Sequence, residues 1–94
     1  MKVILIYDIA MVEREDQKRL TKVMKIARKY LHHVQRSVFE GELSYGKLRR
    51  LEHEILSIAD RSRDSIIIYT FPDSINFERR ILTDVEDLTS NLLL

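Results

Sequence analysis

Between two helix-like segments the chain reads VQRSVFEGEL, Val34 to Leu43. The first seven residues alternate. Val34, Arg36, Val38 and Glu40 point one way and Gln35, Ser37 and Phe39 the other, which is the period-2 pattern of a strand. Gly41 is expected to break it, with Glu42-Leu43 as a short continuation or return. What flanks this segment then settles the architecture.

Upstream, Glu13 to Leu31 reads as a helix, because Leu20, Val23, Met24, Ala27, Tyr30 and Leu31 recur at i, i+3, i+4 and i+7. Glu13, Glu15 and Asp16 sit near its start, where acids suit the helix dipole, and His32 and His33 close it. Before the helix, Lys2 to Asp8 carries the apolar run Val3-Ile4-Leu5-Ile6-Tyr7, expected as a central strand buried on both faces and ended by Asp8. Downstream, Ser44 is placed to cap a second helix with Leu48, Leu51, Ile55 and Ile58 as its apolar stripe. Arg49, Arg50, Glu52 and Glu54 face solvent, and Asp60-Arg61-Ser62-Arg63-Asp64 ends that helix. Ser65 to Phe71 is a further buried strand, stopped by Pro72. Glu78 to Val85 reads as a last strand containing Ile81, Leu82 and Val85, or Val85 to Leu94 as a short helix or frayed end.

The order is β-α-β-β-α-β with an extra C-terminal strand. It predicts an α+β, ferredoxin-like domain over residues 1–94: an antiparallel sheet with two helices on one face. The apolar strands have more apolar faces than two helices can hide. The open sheet face therefore predicts a homodimer, with the tail (about residues 78–94) exchanged onto the partner's sheet edge.

With 94 residues there is room for one core only, and at 45% hydrophobic and 33% charged residues disorder is excluded. The absence of cysteine excludes disulfides, thiolate zinc sites and cysteine nucleophiles, and two glycines are too few for a glycine-rich phosphate loop. No segment has the length of a membrane span or the form of a signal peptide, so the cytoplasm and no membrane partner are expected. The net charge of +1 conceals a strong asymmetry. From Gln17 to Phe39 there is no acid, while Lys18, Arg19, Lys22, Lys25, Arg28, Lys29 and Arg36 carry seven positive charges. Lys18, Lys22, Lys25 and Lys29 form a stripe on the helix face opposite the apolar one. Such a block is the footprint of a polyanion partner, expected to be nucleic acid. The acids of the tail, Glu78, Asp84, Glu86 and Asp87, are expected away from that face, and Asn91-Leu92-Leu93-Leu94 is free to dock on a partner or on the dimer.

Three pieces of this chain resemble a known family. They are the N-terminal strand ending in Tyr7-Asp8, the segment Val34 to Leu43, and the strand Ser65-Ile66-Ile67-Ile68-Tyr69. Together they are similar, over roughly residues 1 to 82, to the CRISPR-associated Cas-two proteins, the small subunits of the spacer-acquisition machinery. The resemblance implies a ferredoxin-like homodimer with a swapped C-terminal strand. It implies either a magnesium-dependent endonuclease acting on single-stranded RNA or duplex DNA, or a DNA-binding bridge between copies of the Cas-one integrase. It matches the family's metal aspartate to Asp8, and its middle-motif serine and phenylalanine to Ser37 and Phe39. Arg19 and Lys22 are only regional matches to the family's first-helix arginines, and His33 stands where some members carry arginine.

Hydrolysis of a phosphodiester needs an in-line water, a base or metal hydroxide, and charge stabilisation on the phosphoryl oxygens. Magnesium is held by one or two carboxylates while keeping several waters. One chain offers Asp8 alone. Two Asp8 facing each other across a dimer axis would share one Mg2+, with Tyr7, Ser37 and Phe39 shaping the surroundings and Ser37 orienting a water. Taken without the resemblance, Asp8 reads as a turn cap. His32 and His33 read as helix-end residues, His53 as an exposed one, and Tyr30 and Phe39 as core. A small-molecule regulatory domain is the third reading, but no convergent polar groups suggest its pocket.

Overall fold

Six elements follow one another in the computed structural model, which describes residues 1–84. They are β1 (Lys2–Asp8), α1 (Arg14–Tyr30), β2 (His32–Gln35), β3 (Val38–Glu42), α2 (Tyr45–Ile58) and β4 (Ser65–Phe71). The strands form one sheet in the order β2-β3-β1-β4, every neighbouring pair antiparallel. This is the expected α+β arrangement of ferredoxin-like order, with β1 and β3 central.

Both helices form for the reasons their sequences suggest. In α1, Val23 and Ala27 are buried and Leu20 and Met24 pack beside them. The lysines at 18, 22 and 25 fall on the exposed side. In α2, the Ser44 hydroxyl accepts the N–H of Lys47 at 3.2 Å, and Leu48, Leu51 and Ile55 are buried. The helices cover the sheet face that carries Val3, Leu5, Tyr7 and Phe39, and these residues make one core with the helix stripes.

Several elements differ from expectation. The alternation of Val34 to Glu40 spans two strands, joined by a tight turn at Arg36-Ser37. Arg36 takes a φ of 24°, a left-handed conformation that glycine or asparagine usually signals and arginine does not. His32 and His33 do not close α1 but begin β2, because Leu31 is already extended and ends the helix. Gly41 does not break a strand. It lies within β3, buried, where a Cβ would meet Leu31.

The apolar runs are buried on one face only. Ile4 and Ile6 of β1 are half-buried, and β4 is an edge strand whose Ile67 and Tyr69 are 44% and 51% exposed. The reason is that both helices lie on the other side of the sheet. By register, Lys2, Ile4, Ile6 and Asp8 share this open face with Phe71, Tyr69, Ile67 and Ser65 of β4 and with Glu40 and Val38 of β3.

Beyond Pro72 the chain turns back over one end of the open face. The Phe77 ring lies 5.1 Å from that of Phe71 and 5.2 Å from the Lys2 ammonium, and Arg79 pairs with Glu40. Residues 78–84, expected to begin a last strand, form none here. Val85, Glu86, Asp87 and Asn91 to Leu94 lie outside the described residues. Among the described residues no helix is long and apolar enough to cross a membrane.

Candidate active site and basic face

Asp8 is the last residue of β1 and pairs with Ser65, the first residue of β4. It is exposed on the open face, and among the described residues its carboxylate has no hydrogen-bond or ion-pair partner. A turn cap would spend its oxygens on nearby N–H groups. Asp8 spends none, so the capping reading fails and the carboxylate is left available to a ligand.

Tyr7 and Ser37 lie next to Asp8, although Tyr7 faces the opposite side of the sheet. The Tyr7 N–H donates to the Ser37 carbonyl at 3.1 Å, which seats the Arg36-Ser37 turn against the end of β1. The Tyr7 ring is buried among core residues, and its hydroxyl donates to the Arg36 carbonyl at 3.4 Å. Burial pushes the phenol pKa up, against the nearby Arg28 charge, so Tyr7 stays neutral and is no general base at ordinary pH. Phe39 is fully buried, stacked on His33 at 4.5 Å and on Tyr7 at 6.1 Å. It cannot stack on a nucleobase. Ser37 is thus tied, through the Tyr7 N–H, to the end of β1 that carries Asp8, while Tyr7 and Phe39 support that end from the core side. The His33 ring nitrogen Nε2 is 2.6 Å from the Arg36 carbonyl, so it too holds the turn.

The basic block divides. Lys18, Lys22, Lys25, Arg28 and Arg36 are exposed. Arg19 is not a surface residue. Its side chain is 12% exposed and forks onto Asp64, with Nε to Oδ2 at 2.6 Å and Nη2 to Oδ1 at 2.9 Å. A third bond runs from Nη1 to Asp16 Oδ1 at 2.7 Å. Its expected place among the nucleic-acid contacts is corrected accordingly, because four of its five N–H donors are engaged within the chain, by Asp64, Asp16 and the Ala10 carbonyl, and its side chain is largely buried. Lys29 is exposed but pairs with Glu54, which also accepts the Tyr30 hydroxyl. These bonds hold the Glu54 carboxyl below its ordinary pKa, so Glu54 joins α1 to α2 and is not simply a solvated acid.

The Asp16–Arg19–Arg63–Asp64 network is the part that the sequence did not reveal. Asp16 read as a dipole partner, and Arg63 and Asp64 as parts of a polar terminator. Both aspartates are buried, at 1% and 0% side-chain exposure. The Arg63 guanidinium, the Glu13 and Val12 N–H groups and Arg19 hold the Asp16 carboxyl well below the usual carboxylate range. Arg19, with the N–H groups of Asp60 and Ala10, holds that of Asp64 at about 2. The signal becomes legible only with the sheet order. Antiparallel pairing of β1 with β4 sets the end of one beside the start of the other.

One chain does not build a full metal site. Among the described residues no group of three or more His, Asp or Glu side chains is placed to hold an ion. Asp8 supplies one hard, exposed oxygen donor of the type magnesium takes. The donor set fits that ion only when a second copy adds its own.

Comparison with known proteins identifies the family and agrees with the fold. The model of the family described as CRISPR associated protein Cas2 matches residues 1–79. A Moorella thermoacetica protein named CRISPR-associated endoribonuclease Cas2 2 is 47% identical over 90 residues, which are 96% of this chain and 99% of that one. A Fusobacterium nucleatum protein named CRISPR-associated endoribonuclease Cas2 is 38% identical over 93 residues, 99% of this chain and 87% of that one. The crystal structure of Streptococcus pyogenes Cas2 matches with a TM-score of 0.71 and 31% identity, covering 79% of this chain and 89% of that chain.

Proposed function

This chain belongs to the CRISPR associated protein Cas2 family, and from that premise we propose that it is a magnesium-dependent endonuclease of CRISPR adaptation in the cytoplasm. It acts as a homodimer joined through the open sheet faces and cleaves RNA or DNA phosphodiester bonds. The observation that carries this reading is Asp8: exposed, without a partner among the described residues, and on the apolar face that a second copy would cover. Two copies joined there bring two Asp8 carboxylates to one boundary, which supplies the one or two carboxylates magnesium asks for. The bound ion supplies charge to the phosphoryl oxygens and lowers the pKa of a coordinated water.

The chain's own residues do the rest. The Asp8 carboxylates hold the ion. Ser37, one residue from the exposed Arg36, orients water or phosphate beside it. Tyr7 and Phe39 keep the turn in place from the core. The tail exchanges onto the partner, moving from its own open face to the partner's sheet edge.

Asp8→Asn keeps the size of the side chain and removes the charge. It is expected to abolish magnesium-dependent cleavage of single-stranded RNA and duplex DNA while leaving nucleic-acid binding intact. Cleavage at the wild-type rate in Asp8→Asn overturns the nuclease reading. A second reading, a non-catalytic DNA-binding bridge between Cas-one integrase dimers, is favoured by one observation: the exposed stripe Lys18, Lys22 and Lys25 stands on a helix face away from the sheet that carries Asp8.

A further inference from the structure

We propose that Arg19 and Asp64, backed by Asp16, are positioning residues for Asp8: they set the path of residues 9–13 and with it the direction in which Asp8 presents its carboxylate. The inference rests on the reading of Asp8 as a metal-holding group.

Asp8 makes no side-chain bond of its own among the described residues, so its direction comes from its backbone. On one side that backbone pairs with Ser65. On the other it runs into a loop whose polar groups are held by side chains. The Ala10 N–H donates to Asp64 Oδ1 at 3.0 Å, and the Ala10 carbonyl accepts from Arg19 Nη2 at 3.3 Å. The Val12 and Glu13 N–H groups both donate to Asp16 Oδ2 at 2.8 Å. Ala10 is thus gripped at both polar atoms by an Arg19–Asp64 pair that is itself bidentate. Asp64 is also the immediate neighbour of the Ser65 that pairs with Asp8.

The physics favours a geometric role. Attraction inside a buried ion pair is largely offset by the loss of hydration, so the pair is a weak source of net stability. A planar guanidinium forked on a carboxylate nevertheless permits essentially one orientation. Outer groups that orient a metal-holding side chain typically change metal affinity by about ten- to a hundred-fold when removed.

The test measures Mn2+ as a magnesium probe. Free Mn2+ is quantified by electron paramagnetic resonance over the full-length dimer, beside thermal unfolding and hydrogen exchange at the Ala10 amide. Arg19→Lys keeps the charge and loses the fork. Arg19→Met with Asp64→Leu removes the pair without leaving a buried charge alone, so it keeps the question open should Arg19→Lys fail to fold. Both are expected to bind Mn2+ about ten-fold more weakly than wild type. Ala10 exchange should be faster, and duplex binding by the lysine stripe unchanged. Wild-type Mn2+ affinity in a folded variant overturns the positioning role alone. Wild-type protein that binds no Mn2+, or Asp8→Ala that binds it equally well, overturns the reading of Asp8 and this inference with it.

Discussion

At Gly41 an added Cβ would stand 3.0 Å from Leu31 Cδ2 and 3.6 Å from Leu31 Cα. Leu31 is itself buried in the core, so it has little room to yield. Gly41→Ala is expected to destabilise the fold by about 1–3 kcal/mol through overpacking, read as a lower urea midpoint. An unchanged midpoint would mean that Leu31 moves freely. Asp64 belongs to the same scale. Its folded pKa, held at about 2, lies below that of an unfolded aspartate near about 3.9. Its charge therefore contributes stability that is full above that unfolded value and is lost as pH falls towards 2. Asp64→Asn should be the less stable protein at neutral pH, and its gap from wild type should narrow between about pH 5 and pH 2. Urea midpoints across that range check it, and a constant gap would contradict it.

The two helices illustrate what a pattern can and cannot carry. The capping hydroxyl of Ser44 and the stripe of Leu48, Leu51 and Ile55 were legible, because capping and helical period are local. The lysine stripe of α1 was legible for the same reason. Arg19 was not separable from it, since its partner Asp64 is 45 residues away. Removing three stripe charges (Lys18→Gln, Lys22→Gln, Lys25→Gln) should weaken duplex binding and lower the slope of log K against log salt by about three. Filter binding at several salt concentrations measures it. An unaltered slope would place the phosphate contacts elsewhere, on Arg28, Arg36 or another element. The sequence pattern runs the β2–β3 hairpin together as one strand, because the turn residue Arg36 carries none of the usual turn chemistry.

At the scale of the molecule, the open face carries Ile4, Ile6, Ile67 and Tyr69, and among the described residues nothing covers its middle. Exposed apolar surface of this kind is what association removes from water. Ile67→Lys should leave the circular dichroism spectrum unchanged, because the residue is already 44% exposed in one chain. It should shift sedimentation to the monomer and remove magnesium-dependent cleavage together with dimerisation. A variant that stays dimeric would put the interface on another surface. The tail belongs to the same question: Phe77 and Arg79 lie over Lys2, Phe71 and Glu40 of their own chain, on the face where a partner would sit.

The sequence by itself determined the element order, the ferredoxin-like class, the helix faces and the position of Asp8 at a strand end. All of these follow from local period, capping and chain order. Tertiary structure alone decided which sheet face is open, that Asp8 lies on it without a partner among the described residues, and that Tyr7 and Phe39 lie beneath it. It also decided that one arginine of the basic block is spent internally on two buried aspartates. The physical reason is the same in each case. Burial and ion pairing depend on which strand ends the antiparallel sheet brings together, and Asp64 lies 45 residues from Arg19 in the chain while meeting it at the end of the fold where β1 pairs with β4.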